Sequence, residues 1–142
     1  MTGVSIRMAE SAGDFEVARV LCREWLDWHW QNYPSDWPTG ADHPMDPQNF
    51  ETVLRALPKL HARPLGAILI GAVDGLDAGC VMYQEAEAGV AEFKRMFVSE
   101  RGRGHGLGRM MLEEMFEPMI ADGYRRVFFS SATFLTHARS MY

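Results

Sequence analysis

A glycine-rich turn between a strand-like and a helix-like segment is the feature that most restricts how this chain can fold. Residues 101–109 read RGRGHGLGR, so glycine occupies positions 102, 104, 106 and 108. Because glycine has no Cβ, backbone N–H groups can converge there, and a helix that begins directly behind them adds the positive end of its dipole. The turn therefore predicts a binding site for an anion, most naturally a phosphate group.

Two common phosphate-binding loops do not fit this turn. The P-loop requires Lys followed by Ser or Thr after its last glycine, whereas Gly108 is followed by Arg109 and Met110. The dinucleotide motif GxGxxG also fails, because Leu, Arg and Met stand at 107, 109 and 111, where its third glycine would fall. The turn thus predicts an anion site of a different type, and a ligand-free connection is the alternative.

The order of apolar and turn residues predicts a single mixed α/β domain, with a sheet of antiparallel strands followed by a crossover through a helix. We expect an alternating strand at 90–99, with Ala91, Phe93, Arg95 and Phe97 on one face and Glu92, Lys94, Met96 and Val98 on the other. The other predicted strands are at 4–8, 66–73, 78–84 and 126–130, with a hairpin turn at Asp74-Gly75. A first helix is expected after a Ser11–Asp14 cap. Further helices are predicted at 47–56 (ended by Pro58), 106–121 and 134–142, with a helix stop at Asp122-Gly123.

Composition and charge narrow the classes of function. The 142 residues include 14 Lys+Arg and 19 Asp+Glu, and the resulting net charge of −5 argues against binding to nucleic acid. Cys22 and Cys80 stand far apart without a metal-binding spacing, so we expect buried, reduced thiols and no metal site. The longest apolar run, 66–73, is too short to cross a membrane, and the amino terminus lacks signal-peptide character. We therefore expect a cytoplasmic protein without a membrane partner.

The glycine-rich turn resembles the signature of a known enzyme family. The segment from Arg103 to Gly108 is similar to the R/Q-x-x-G-x-G/A signature of the GNAT acyltransferases (GCN5-related N-acetyltransferases), and Val98 stands five residues before it, as in that pattern. Residues 101–106 also fit the six-residue signature, but Val98 then has the wrong spacing. The resemblance is specific from about residue 90 onward and implies the GNAT fold, with elements in the order β-α-α-β-β-β-α-β-α.

The resemblance also implies acetyl-CoA as cosubstrate and a small-molecule or peptide amine as acceptor, which attacks the thioester directly. The pantetheine arm would pair with backbone near Phe97 and Val98. The pyrophosphate would be held by the backbone of Arg103, Gly104, His105, Gly106, Leu107, Gly108 and Arg109.

Two residues match catalytic positions of the family. Glu92 would act as general base or bind the substrate ammonium, and its alternative role is a structural carboxylate paired with Lys94 or Arg95. Tyr142 would protonate the CoA sulfur, and its alternative role is an aromatic residue packed on the sheet. Both alternatives stay open on the sequence.

Other features leave further alternatives. Residues Trp25, Trp28, Trp30, Tyr33 and Trp37, with His29 and His43, either cover the acceptor pocket or pack the core and the loop. The chain stops at Tyr142, before the last two strands of the GNAT pattern, so the single domain 1–142 is expected to lack its C-terminal end and to form a homodimer near residues 126–142. A catalytically idle CoA-binding sensor or interaction module is the alternative function.

Overall fold

A five-stranded mixed sheet with helices on both faces organises the molecule. The computed structural model describes residues 3–32 and 47–129. The strands lie in chain order, β1 to β4 antiparallel and β5 parallel to β4. The mixed α/β fold is therefore confirmed. The elements are β1 (Val4–Met8), α1 (Ala12–Gln31), α2 (Pro47–Arg55), α3 (Leu57–Leu60), β2 (Gly66–Val73), β3 (Leu76–Glu87), β4 (Val90–Val98), a 3-10 turn (Glu100–Gly102), α4 (Leu107–Ala121) and β5 (Arg126–Phe129).

The sheet has an apolar core on each of its two faces, and different helices cover each core. Helix α4 packs on one face of the sheet through residues such as Leu107, Met111 and Met115. Helices α1 and α2 pack on the opposite face, where Leu21 and Phe50 are almost fully buried. We refer to these as the α4 face and the α1/α2 face of the sheet.

Local sequence signals set the helix and hairpin ends where they were predicted. The Ser11 hydroxyl accepts from the Asp14 N–H at 3.1 Å, and the Asp14 carboxylate accepts from the Ser11 N–H at 3.3 Å, which forms a capping box. Asp74 and Gly75 have φ of 52° and 83°, as a tight two-residue hairpin requires. Gly123 ends α4 with φ of 95°, while the Tyr124 N–H bonds to the Met119 carbonyl at 2.9 Å.

The predicted helix at 47–56 differs at its end. Helix α2 stops at Arg55, and Pro58 lies in the first turn of the separate, four-residue α3 instead of ending the helix before it. Proline is tolerated there because the first N–H groups of a helix have no partner within that helix. The predicted cap at Asp46 and the predicted helix at 134–142 lie outside the described residues.

The predicted alternation of β4 is wrong after Phe93. Met82 of β3 pairs with Arg95 and Tyr83 pairs with Phe93, so Lys94 is an extra residue that forms a β-bulge. One inserted residue reverses which face the following side chains occupy, because the side-chain period of a strand is two. Ala91, Phe93, Met96 and Val98 therefore pack on the α4 face, and Phe97 packs on the α1/α2 face.

Three glycines let α4 and the 3-10 turn approach the sheet closely. A Cβ at Gly71 would lie 2.5 Å from Leu107 Cδ1, and one at Gly79 would lie 2.8 Å from the Phe97 carbonyl oxygen. A Cβ at Gly102 would lie 2.9 Å from the Ala78 Cβ. The start of α4 is therefore held against β2 and β3 at a distance that side chains at these positions would prevent.

Candidate functional site

The glycine-rich turn presents backbone toward open space. Gly104 and Gly106 have φ of 81° and 72°, in the left-handed region that glycine adopts most readily. No heavy atom lies within 4 Å of a Cβ placed at either position. The turn therefore offers an open backbone surface at the point where α4 begins.

The first N–H groups of α4 face the same region without a cap. Gly106 is the N-cap residue, and in the described chain no side chain bonds to this end of the helix. The first backbone bond into the turn runs from the Met110 N–H to the Gly106 carbonyl at 3.0 Å. The N–H groups of Leu107, Gly108 and Arg109 precede that bond, so they are available to a ligand oxygen. Together with the positive end of the helix dipole, they are the groups to which the sequence analysis assigned anion binding.

The two arginines at the start of the turn have different environments. Arg101 donates to the Asp77 carbonyl at 2.7 Å and forms an ion pair with Glu24 at 3.1 Å. It therefore holds the 3-10 turn to β3 and α1. Arg103, His105 and Arg109 are exposed beside the open backbone. This difference favours the signature register that begins at Arg103 over the one that begins at Arg101.

Strand β4 leads from the sheet into this turn. β5 pairs with it from Val90 to Phe93, and no further strand partner is described along the remaining residues of β4 on that side. Phe97 is buried on the α1/α2 face, and Val98 is half-buried on the α4 face. The backbone near these two residues thus borders the glycine-rich turn, where the family resemblance places the pantetheine arm.

Glu92 lies on β4 just before the bulge. Its neighbours Ala91 and Phe93 pack on the α4 face, so strand alternation turns Glu92 to the α1/α2 face. Its side chain is 19% exposed and pairs with the Lys94 ammonium at 3.7 Å. The carboxylate is therefore accessible, and the ion pair shows that it also has a structural partner. Tyr142, the second predicted catalytic residue, lies outside the described residues.

Arg95 lies on β4 two residues after Phe93, where the pairing with β5 ends. The sequence analysis considered it only as a candidate partner of Glu92. Its guanidinium carbon lies 5.9 Å from the centre of the Phe50 ring, and one of its N–H groups contacts the Met82 sulfur at 3.6 Å. Burial lowers the pKa of Arg95 below its usual value. A charged residue directly before the apolar residues 96–98 of the strand is the sequence signal that could have drawn attention to it.

The aromatic residues of α1 form a packed group beside this arginine. The rings of Trp25 and Phe50 lie 6.0 Å apart, and those of Trp25 and His29 lie 5.3 Å apart. Trp25 and Trp30 pack against the core of the α1/α2 face, whereas Tyr33, Trp37 and His43 lie outside the described residues. Trp25, His29 and Trp30 thus contribute to core packing at the edge of the candidate acceptor side.

Both cysteines are buried and free, as predicted. They lie on α1 and β3, where the Cys22 and Cys80 thiols contact each other. The hydrogen bond to Cys22 and burial raise the pKa of Cys80 well above its usual value. Its thiol is therefore protonated and unreactive near neutral pH.

Residues 3–32 and 47–129 contain neither a metal-ligand cluster nor a membrane-spanning helix. No group of three His, Cys, Asp or Glu side chains in this part of the chain is placed to hold a metal ion. Among its helices, none has the length and apolar character needed to cross a membrane.

Solved structures share this fold. An acetyltransferase of the GNAT family from Staphylococcus aureus Mu50 is similar at a TM-score of 0.75 and 11% identity, covering 99% of this chain and 81% of that one. The enzyme AAC(6')-Iy, bound to a CoA-containing bisubstrate analogue, is similar at 0.67 and 16%, covering 97% and 86%. A ribosomal-protein-alanine N-acetyltransferase from Brucella melitensis biovar Abortus 2308 is similar at 0.68 and 13%, covering 99% and 88%.

Sequence comparison gives the family directly. No curated protein matches this chain at a significant level. The sequence profile of the Acetyltransferase (GNAT) family, however, matches residues 22–142, which include the glycine-rich turn and most of the sheet. This chain therefore belongs to the GNAT acetyltransferase family.

Proposed function

We propose that this chain transfers the acetyl group of acetyl-CoA to a primary amine by direct attack of the amine on the thioester. The observation that carries the proposal is the open glycine-rich turn at the uncapped start of α4. Its backbone N–H groups fit the pyrophosphate of CoA, which carries two negative charges. Similar structures include CoA complexes of acetyltransferases, which supports the same ligand.

The binding roles follow the order of residues along β4 and the turn. The backbone of residues 103–109 holds the pyrophosphate, while the exposed side chains of Arg103 and Arg109 add positive charge beside it. The backbone near Phe97 and Val98 pairs with the amide groups of the pantetheine arm. The thioester then reaches the region of the bulge at Lys94, where the backbone is not paired in the regular ladder. A backbone N–H there can stabilise negative charge on the thioester oxygen.

The transfer step needs two proton movements. The amine nitrogen attacks the thioester carbonyl carbon, the C–N bond forms, and the C–S bond then breaks to leave the CoA thiolate. Glu92 accepts a proton from the amine, directly or through water, and Tyr142 gives a proton to the thiolate. Glu92 lies on the accessible α1/α2 face, which supports its assignment to the acceptor side.

A thiol-release assay with a panel of amines tests this function. We expect thiol release that depends on both acetyl-CoA and an amine. Calorimetric titration with acetyl-CoA provides the parallel measurement of binding. Tight acetyl-CoA binding without thiol release for any amine would instead support the idle CoA-binding module.

We further propose a homodimer that uses the region 126–142, within a single domain. In the described sheet β5 lies at one edge, and Phe128 is 51% exposed. An edge strand with an exposed aromatic side chain is a template for pairing with a second copy. Sedimentation at micromolar concentration should show a dimer that Phe128→Asp weakens, and a monomeric wild-type chain would contradict this assembly.

A further inference from the structure

Among residues 3–32 and 47–129, Arg95 is a half-buried cation that uses little of its hydrogen-bonding capacity. A guanidinium has five N–H donors, and the described contacts of Arg95 are the Met82 sulfur at 3.6 Å and the face of the Phe50 ring. Thioether sulfur is a weak acceptor, so this contact satisfies little of the donor capacity. Buried or half-buried charges in proteins are normally paired with an opposite charge.

Glu92 is the carboxylate whose charge acts on Arg95, and it is paired with another cation. The Lys94 ammonium lies 3.7 Å from the Glu92 carboxylate. Within residues 3–32 and 47–129, no carboxylate oxygen lies within 4 Å of the Arg95 guanidinium. The Glu92–Lys94 pair is neutral in sum, so Arg95 leaves this part of β4 with a local positive charge.

The unused donors of Arg95 are accessible. In the described residues, several side-chain polar atoms are buried and have no hydrogen bond. None of these atoms belongs to Arg95. Its remaining N–H groups therefore reach solvent and, by the same path, a ligand. The Phe50 ring holds the guanidinium from one side, which lowers the entropy lost when an anion binds to it.

We propose that Arg95 is a substrate-binding residue that recognises a carboxylate on the acceptor, so that the acceptor is an amine carrying a carboxylate group. The assignment rests on the proposed acetyl transfer, because it places Arg95 and Glu92 in one acceptor site. Both residues belong to the same face of β4. Because the bulge lies between them, they pair with Gln84 and Met82 of β3, and their backbones are about 7 Å apart along the strand. Glu92 would then meet the amine while Arg95 forms a bidentate pair with the carboxylate.

This arrangement selects between classes of amine. An amino acid or similar small amino carboxylate neutralises Arg95, whereas a polycationic amine without a carboxylate brings further positive charge to it. The solved structures with a similar fold include aminoglycoside acetyltransferases. For this chain, the charge at Arg95 favours a different acceptor class from polyamines of that type.

A binding experiment tests the anion subsite without relying on turnover. The wild-type chain, loaded with CoA or free of it, is titrated with glycine, β-alanine, phenylalanine and lysine and with the carboxamide of each. We expect at least one amino acid to raise the thermal midpoint and to bind at least tenfold more tightly than its carboxamide. Arg95→Met should abolish this preference and retain CoA binding. Arg23→Met removes an arginine that already has a carboxylate partner, so it should retain the preference.

The outcomes separate this inference from the proposed function. Equal binding of acids and carboxamides, no binding of any acid, or a preference that survives in Arg95→Met would each overturn the role of Arg95. If Arg95→Met does not fold, Arg95→Lys retains the charge without the bidentate geometry and should weaken the preference severalfold. The proposed function is judged by thiol release with the same panel. Carboxylate binding that depends on Arg95 but yields no thiol would overturn the acetyl transfer alone.

Discussion

Gly106 is the residue whose conformation most directly shapes the proposed pyrophosphate site. Its φ of 72° suits glycine, and a side chain there would project into the open space in front of the turn. We expect Gly106→Val to weaken acetyl-CoA binding by well over tenfold, because a branched side chain blocks the approach of phosphate to the backbone. Calorimetric titration measures the effect.

Gly89→Val is the matched control for this change. Gly89 has a similar φ of 80° and open surroundings, but it lies in the hairpin before β4, at the opposite end of that strand from the turn. It should lose comparable stability, about 1–3 kcal/mol, and keep its affinity for acetyl-CoA. Unchanged affinity in a folded Gly106→Val variant would contradict the assignment of the turn.

The carboxylate of Glu92 is the second residue that carries a prediction. Glu92→Gln keeps the shape of the side chain but cannot accept the amine proton, so turnover should fall by about 10²–10⁴-fold while acetyl-CoA affinity stays nearly constant. Lys94→Met removes the same ion pair and retains the carboxylate, so its turnover should fall far less. Full activity of Glu92→Gln across the pH range would make Glu92 a structural residue.

At the scale of residues, the sequence predicted what depends on neighbours in the chain. The open glycine-rich turn could be predicted because it is built from consecutive residues of the chain. The environment of Arg95 could not be predicted, because it depends on Phe50 from α2 and Met82 from β3. The face of the sheet to which a strand side chain points also depends on how that strand pairs with its neighbour, and the sequence of one strand does not show this.

At the scale of elements, the close contact between α4 and the sheet leads to a stability prediction. A Cβ at Gly79 would lie 2.8 Å from the Phe97 carbonyl oxygen and 3.0 Å from Met111 Cε. Since the first of these atoms belongs to the backbone, Gly79→Ala requires the strands to shift and should lower the free energy of unfolding by about 1–3 kcal/mol. Urea denaturation monitored by circular dichroism measures this change.

Gly13→Ala provides a control with the opposite sign. Gly13 lies in the first turn of α1, where the nearest atom to an added Cβ is the Ser11 hydroxyl at an ordinary 3.7 Å. Alanine favours the helix and reduces the entropy of the unfolded chain, so the free energy of unfolding should rise by up to about 1 kcal/mol. A Gly79→Ala variant as stable as the wild type would show that α4 is packed less tightly.

Element ends were predicted well where short-range chemistry sets them and poorly where pairing does. The capping box at Ser11 and the stop at Gly123 require residues only a few positions apart. The bulge at Lys94 arises from the pairing register between β3 and β4, and no residue type within β4 indicates it. The face assignments beyond Phe93 were therefore wrong although the strand itself was correctly predicted.

At the scale of the whole molecule, the meander from β2 to β4 and the crossover to β5 could be predicted, because hairpins link β2 to β4 and a helix links β4 to β5. The chain then folds so that His61, between α3 and β2, is only 2% exposed. Its Nδ1 lies 2.7 Å from the Tyr83 carbonyl, so Nδ1 carries the hydrogen and donates to that oxygen. His61 thus connects the end of α3 to the centre of the sheet in its neutral form.

The buried His61 makes global stability depend on pH in the range above the titration of ordinary carboxylates. Burial lowers the pKa of His61 from 6.5 to about 4, so between these values the unfolded chain binds a proton that the folded chain does not. The free energy of unfolding is therefore fully retained above about pH 6.5 and falls as the pH decreases toward 4, by about 2 kcal/mol between pH 7 and pH 5.

His61→Gln removes this titration, so the free energy of unfolding of the variant should decrease less over that interval, whatever its value at pH 7. Urea denaturation of both proteins at half-unit pH steps measures the two slopes, and parallel slopes would show that His61 titrates normally in the folded chain. His105→Gln, which alters an exposed histidine, should follow the wild-type slope.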